Sequence, residues 1–174
     1  MVYIFKDRLI RVEWTIYKGI SPVKEDFYRS NVKVFLLGNR EKYLLQARAD
    51  KGTLYVDIPS GLEEGTYSIE VIWVKNMDHV FDTRSVCRSK KEDLFSITEF
   101  ENEATNIGEG VVVLKVKTST ATYGYDGLSS YELAILRGDW NGTEGEWLKH
   151  ERYVSVLDSR GDSEVDTMSQ KAIT

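Results

Sequence analysis

Apolar and polar residues alternate along much of the chain. Ile10, Val12, Trp14 and Ile16 are separated by Arg11, Glu13 and Thr15, a period of two that turns one side of an extended chain toward a core and the other toward water. The same alternation recurs in Val32, Val34 and Leu36, in Leu54, Val56 and Ile58, in Tyr67, Ile69, Val71 and Trp73, and in Val112, Leu114 and Val116. Between these runs, LGNREK (37–42), ADKGT (49–53) and PSGLEEGTY (59–67) supply the Gly, Asn, Asp and Pro of turns. One or two further strands are expected around 80–87 and 94–100. Short strands joined by tight turns predict antiparallel neighbours in a β-sandwich. Tyr67, opening a core strand just past Gly65, points to an immunoglobulin-like antiparallel β-sandwich over residues 1–121.

The pattern changes at residue 122. Ser129 and Glu132 have the spacing of a capping box, and Thr143 and Glu146 repeat it. Tyr131, Ala134 and Ile135 then share one helical face, with Gly138 placed for a left-handed C-cap; Trp147 and Leu148 are the apolar contribution of the second helix. Two helices of about two turns each are expected. Such helices fall short of the ~12–15 residues at which isolated helices become marginal in water, so they must dock on something. Residues 122–152 therefore read as a short helical junction. Its interface residues are Tyr131, Ile135, Trp147 and Leu148, packed on the sandwich or a neighbouring subunit. Residues 153–174 are expected to be an extended segment leading toward a stalk, since few apolar positions remain after about Asp158.

Composition removes several functions. At 174 residues the chain can bury one substantial core, and a net charge of −5 argues against nucleic acid as a partner. The densest basic cluster, Arg88, Lys90 and Lys91, runs straight into Glu92 and Asp93 and is expected to be a solvated turn. A single cysteine, Cys87, excludes an internal disulfide and a thiolate metal cage. Lys6, Asp7 and Arg8 interrupt the N-terminus where a signal peptide needs an unbroken apolar stretch, and no apolar run approaches the ~18 residues of a membrane span. Neither a signal peptide, a transmembrane segment nor a membrane partner is expected.

Catalytic chemistry is not expected either, and neither a cofactor nor a metal is called for. The two histidines, His79 and His150, lack a second ligand at metal spacing. GDWNGTEGEW has no Gly-Lys-Ser/Thr and does not follow a strand as a phosphate loop must. Asn141-Gly142-Thr143 fits a glycosylation acceptor, but the capping box already accounts for Thr143; Arg160-Gly161-Asp162 is too short a match to carry a function. Tyr17, Tyr28, Tyr43, Tyr55 and Trp140 fall outside the inward rows and are the aromatic residues expected at the surface.

Two segments resemble a known class of protein. GLSSYELAILRGDWNGTEGEWLKHE (127–151) resembles the G-x-S-A-Y-E-x-A-x-x-N-G-F-x-G-T-E-x-E-W-L motif of bacteriophage and prophage structural proteins. It matches at Tyr131, Glu132, Ala134, Gly138, Gly142, Thr143, Glu144, Glu146, Trp147 and Leu148. It departs from the motif with Ser130 for Ala, Arg137 for Asn, and Asp139-Trp140 for a single aromatic. GDSEVDTMSQKAIT (161–174) is similar to the S-Q-K-A-V-T segment that precedes distal parts of phage tail fibres, and DLFSITEFENEAT is a weaker echo of the same proteins. The resemblance implies a virion structural protein: the N-terminal anchor of a tail or head fibre, or a baseplate component, involved in host attachment and assembled in the bacterial host cytoplasm. Implied partners are other virion proteins, copies of the chain in a trimer, and a host-surface glycan or protein. The alternative is a bacterial carbohydrate- or protein-binding adhesion module on the same sandwich.

Overall fold

A computed structural model describes residues 1–23, 31–50, 52–74, 86–123 and 128–160. Eleven described strands precede two helices. In chain order the strands are β1 (Val2–Phe5), β2 (Ile10–Lys18), β3 (Ser21–Pro22), β4 (Asn31–Gly38), β5 (Glu41–Leu45), β6 (Ala47–Asp50), β7 (Thr53–Ile58), β8 (Gly65–Val74), β9 (Val86–Thr98), β10 (Val112–Ser119) and β11 (Ala121–Tyr123). The helices are α1 (Ser130–Arg137) and α2 (Glu144–Arg160). The chain is mainly β, with two open sheets in the manner of a β-sandwich. The first sheet has the order β1-β9-β8-β4-β5, with β11 also on β9; the second has the order β10-β2-β7-β6, with β3 on β2.

The alternating rows face one another across a common core. Ile10, Val12, Trp14 and Ile16 from β2, and Leu54, Val56 and Ile58 from β7, meet Val34 and Leu36 from β4 and Tyr67, Ile69, Val71 and Trp73 from β8. All are buried, as the period-two pattern requires. A polar seam also crosses the interior: Trp14 Nε1 donates to Thr118 Oγ1 at 2.7 Å, and Ser89 Oγ donates to the Ser119 carbonyl at 2.6 Å. It ties β10 of one sheet to β9 of the other.

Not every neighbour is antiparallel. β1 runs parallel to β9 (Val2↔Phe95) and β10 parallel to β2 (Val112↔Ile10). Parallel neighbours need long connections, and these pairs join the start of the sandwich to its end. Of the one or two strands expected around 80–87 and 94–100, the structure forms a single thirteen-residue strand, Val86–Thr98; residues 80–85 lie outside the described part. It carries a bulge opposite Tyr67 and Ile69, where Asp93 takes a positive φ of 50° and its N–H donates to Ser68 Oγ at 3.0 Å. Arg88, Lys90 and Lys91 therefore lie in mid-strand, not in a solvated turn.

Local chemistry fixes the corners. Asn39 and Arg40 have φ of 49° and 62°, the positive pair of a type I′ turn closing the β4–β5 hairpin. Asn39 Nδ2 donates to Tyr67 Oη at 2.7 Å, and Tyr67 Oη donates to the Glu63 carbonyl at 2.8 Å. The phenol thus bonds back to the backbone four residues upstream and fixes the corner between β7 and β8. Burial, then the charges of Tyr43 and Glu63, push the Tyr67 phenol up to about 12. Gly38 leaves room for that ring: a Cβ there would lie 2.3 Å from Tyr67 Cδ1.

α1 has the expected two turns, but the second helix departs from expectation in length. α1 has eight residues, whereas α2 runs for seventeen and takes in residues 153–160, where an extended segment is predicted; residues 161–174 lie outside the described part. The chain divides into two compact units, Met1–Asn141 and Gly142–Thr174. The division falls inside the predicted 122–152 junction, so α1 belongs to the sandwich unit and α2 to the second.

Candidate functional site

The outer face of the first sheet is the exception to the wet-outside rule. On β4, Phe35 points away from the common core and yet is fully buried, as is Ile72 on β8. α1 covers this face, packing on β4; the Tyr131 ring lies 5.8 Å from that of Phe35. Tyr131, Ala134, Ile135 and Leu136 are all buried beneath it. Burial of such side chains is worth roughly 1.5–3 kcal/mol each, which is what an eight-residue helix needs in order to persist.

Four charges sit under the same helix. Glu132 of α1, Lys42 of β5, Glu70 of β8 and Arg88 of β9 have side chains only 4–15% exposed. Arg88 grips Glu132 with both arms of its fork, Nη1 to Oε2 at 2.8 Å and Nη2 to Oε1 at 2.9 Å, while Nη1 also donates to Glu70 Oε2 at 2.8 Å. Lys42 Nζ donates to Glu132 Oε2 at 2.7 Å and to Glu70 Oε1 at 3.1 Å, and stands 4.8 Å above the Phe35 ring. All four carboxylate oxygens thus accept a charged N–H. Two cations and two anions cancel, which is the condition under which buried charge is tolerable.

The register explains the assembly. Phe35 lies opposite Glu70, Ile72 opposite Arg88, and Leu37 opposite Lys42, so the outward row of the sheet places Arg88, Glu70 and Lys42 around one aromatic ring. Glu132 arrives by way of its cap. Ser129 Oγ accepts from the Glu132 N–H at 3.1 Å, and Glu132 Oε1 accepts from the Ser129 N–H at 3.0 Å. One carboxylate therefore closes the capping box and the ion cluster together. Burial pushes the Glu132 carboxyl up, but hydrogen bonds from Arg88 and Lys42, the Lys42 charge and the Ser129 N–H outweigh it and hold the group at about 2. Arg88 is driven further toward its charged form, chiefly by its hydrogen bonds to Glu132 against the opposing effect of burial. With all four carboxylate oxygens engaged, the cluster is suited to holding a helix.

The residues singled out in the sequence divide between the two units. Tyr131 and Ile135 are 1% exposed in the sandwich unit. Trp147 and Leu148 lie in the second, where Trp147 stacks on His150 with centroids 5.7 Å apart and Leu148 is half exposed. Glu146 Oε1 accepts from the Thr143 N–H at 3.0 Å, and Thr143 Oγ1 accepts from the Glu146 N–H at 3.2 Å, at the start of α2. Gly138 ends α1 with φ 81°. Lys42 and Glu70 were not singled out in the sequence, and Arg88 was read there only as part of a solvated turn; the signal for all three was the apolar run from Val34 to Leu37, together with Ile72, on strands whose other face already fills the core.

On the outer face of the second sheet Arg11 pairs with Asp57 at 3.2 Å, and the Arg48 guanidinium lies 4.4 Å over the Tyr55 ring. Tyr17, Tyr43, Tyr55 and Trp140 are half-buried; Tyr28 and His79 lie outside the described residues. Among the described residues, no group of three or more His, Cys, Asp or Glu could hold a metal ion, and no helix is long and apolar enough to cross a membrane. Comparison with protein-family models, with curated proteins and with solved structures finds no match for the chain.

Proposed function

We propose that the chain is a non-enzymatic virion structural protein of a bacteriophage or prophage, the anchoring part of a tail or head fibre that takes part in host attachment. The observation that carries this reading is the place of the 127–151 segment in the fold. The residues that resemble the phage motif occupy the passage from the sandwich unit to the second unit, and several have a structural duty there. Glu132 closes the ion cluster, Tyr131 covers Phe35, Gly138 caps α1, and Thr143 and Glu146 start α2. A motif serving to attach a helix at the end of the sandwich unit suits a fibre, in which an anchoring domain must hand over to a projecting part.

The immunoglobulin-like reading of the anchor draws support from the Tyr67 corner. Other virion proteins are the partners in this account, with copies of the chain associating as a trimer. Immunogold electron microscopy of particles, with antibodies raised against residues 1–121, is the test. Gold at the capsid identifies a head fibre and gold at the tail end a tail fibre or baseplate component. Unlabelled particles with label on the bacterial surface would refute the proposal in favour of an adhesion module.

A further inference from the structure

We infer that α1 is a mechanical latch, the element through which tension from the C-terminal unit enters the sandwich, with Glu132 passing it to β5 and β9. Chain order sets up the problem. β10 ends on the second sheet, the chain crosses at Thr120, whose N–H donates to the Tyr17 carbonyl, and β11 then adds three residues to β9. If the chain were held only as far as β11, a pull from the C-terminal side would fall on a three-residue edge strand and then on β10, itself the edge of its sheet. Bonds of an edge strand can be loaded one at a time.

α1 alters the order of loading. It lies between β11 and the second unit, so any pull reaches it first. Glu132 is fastened to Arg88 on β9 and Lys42 on β5, strands at opposite sides of the covered face, and Glu70 on β8 ties both cations together. These links, together with the buried Tyr131 and Ile135, share the load and must fail together. Arg88 and Glu70 sit on β9 and β8, long strands inside the sheet, and only Lys42 is on the short edge strand β5, so releasing α1 requires breaking the cluster rather than unzipping an edge. The cluster's neutrality suits this task, since no single charge is left seeking water while the latch is closed. The load path is set by topology, and it holds whether or not the chain belongs to a virion.

Single-molecule force spectroscopy on the full chain tests the inference. Handles are placed by Ser60→Cys, in the exposed turn between β7 and β8, and Asn141→Cys, just after α1; both native residues are exposed and Cys87 is buried. The parent should rupture in one event. Glu132→Gln keeps a side chain able to close the capping box but removes the charge; it should show an earlier, weaker step that frees Thr120–Asn141, about 75 Å at roughly 3.4 Å per residue, before the main rupture. Arg88→Lys, which keeps the cluster neutral and loses only the fork, should show the same step at intermediate force and serves if Glu132→Gln does not fold. An early step in the parent, or variants that rupture as the parent does, would overturn the latch.

Discussion

Replacing Glu132 by Gln leaves Arg88 and Lys42 facing Glu70 alone, with one uncompensated positive charge beneath a helix. Removing one partner of a buried ion pair costs about 3–5 kcal/mol. The carboxyl's own titration gives a similar figure: a group held at about 2 against an ordinary 4.5 corresponds to about 3 kcal/mol of preference for the charged form. At roughly 2–4 °C per kcal/mol for a chain of this size, Tm should fall by roughly 6–20 °C. The companion variant adds Lys42→Met, which removes one charge of each sign, leaves the Arg88–Glu70 pair intact and keeps an unbranched apolar stem over Phe35. It should be more stable than Glu132→Gln alone by at least about 1 kcal/mol. Urea unfolding followed by tryptophan emission reads both, since Trp14 and Trp73 are fully buried. Additive losses in the double variant, or a Glu132→Gln loss below about 1 kcal/mol, would show that charge balance is not what the cluster maintains.

Acid should reveal the same group. Because the folded carboxyl of Glu132 is depressed, its contribution is complete above its ordinary value near 4.5 and is lost as pH falls toward about 2; a denaturant series across that window should show the wild type losing stability more steeply than Glu132→Gln. Gly38→Ala drives a methyl into a Tyr67 ring pinned by Asn39 and Glu63, so a loss of about 1–3 kcal/mol is expected in urea unfolding, and an unchanged midpoint would contradict the packing. On β10, Lys115 and Lys117 are exposed along an edge strand beside the half-exposed Val113, where lysines discourage edge-to-edge pairing. Lys115→Val/Lys117→Val should aggregate in light scattering even though it makes the net charge more negative; a monodisperse variant would refute the edge assignment.

The inward rows of β2, β4, β7, β8 and β10 were legible because period-two alternation is a local property and one buried face enforces it. Both capping signatures were legible for the same reason, as their partners lie three residues apart. What stayed hidden was non-local. Arg88 is charged, flanked by lysines and followed by acids, so its own neighbourhood describes a wet turn; only Glu70, eighteen residues away, and Glu132, forty-four away, make a buried strand position acceptable. The parallel pairings of β1 and β10 were likewise invisible, since nothing near Val2 or Val112 in sequence records a partner about a hundred residues distant. The length of α2 was missed because the expectation rested on Trp147 and Leu148 alone and did not carry on to Tyr153, Val154 and Leu157, which continue at helical spacing.

The parallel placement of β1 on β9 also imposes an order on the protein's synthesis. Val2 to Phe5 leave the ribosome well ahead of their partners Phe95 to Thr98, which follow about ninety residues later, some 5–20 s at ordinary elongation rates. β2 likewise waits for β10 through a comparable interval. During that time hairpins such as β4–β5 and β6–β7 can form from neighbouring sequence, while the N-terminal strand, rich in Val, Tyr, Ile and Phe, stays without its ladder. Closure of the sandwich is therefore a late event in the life of the nascent chain, timed by the emergence of its last strands rather than its first.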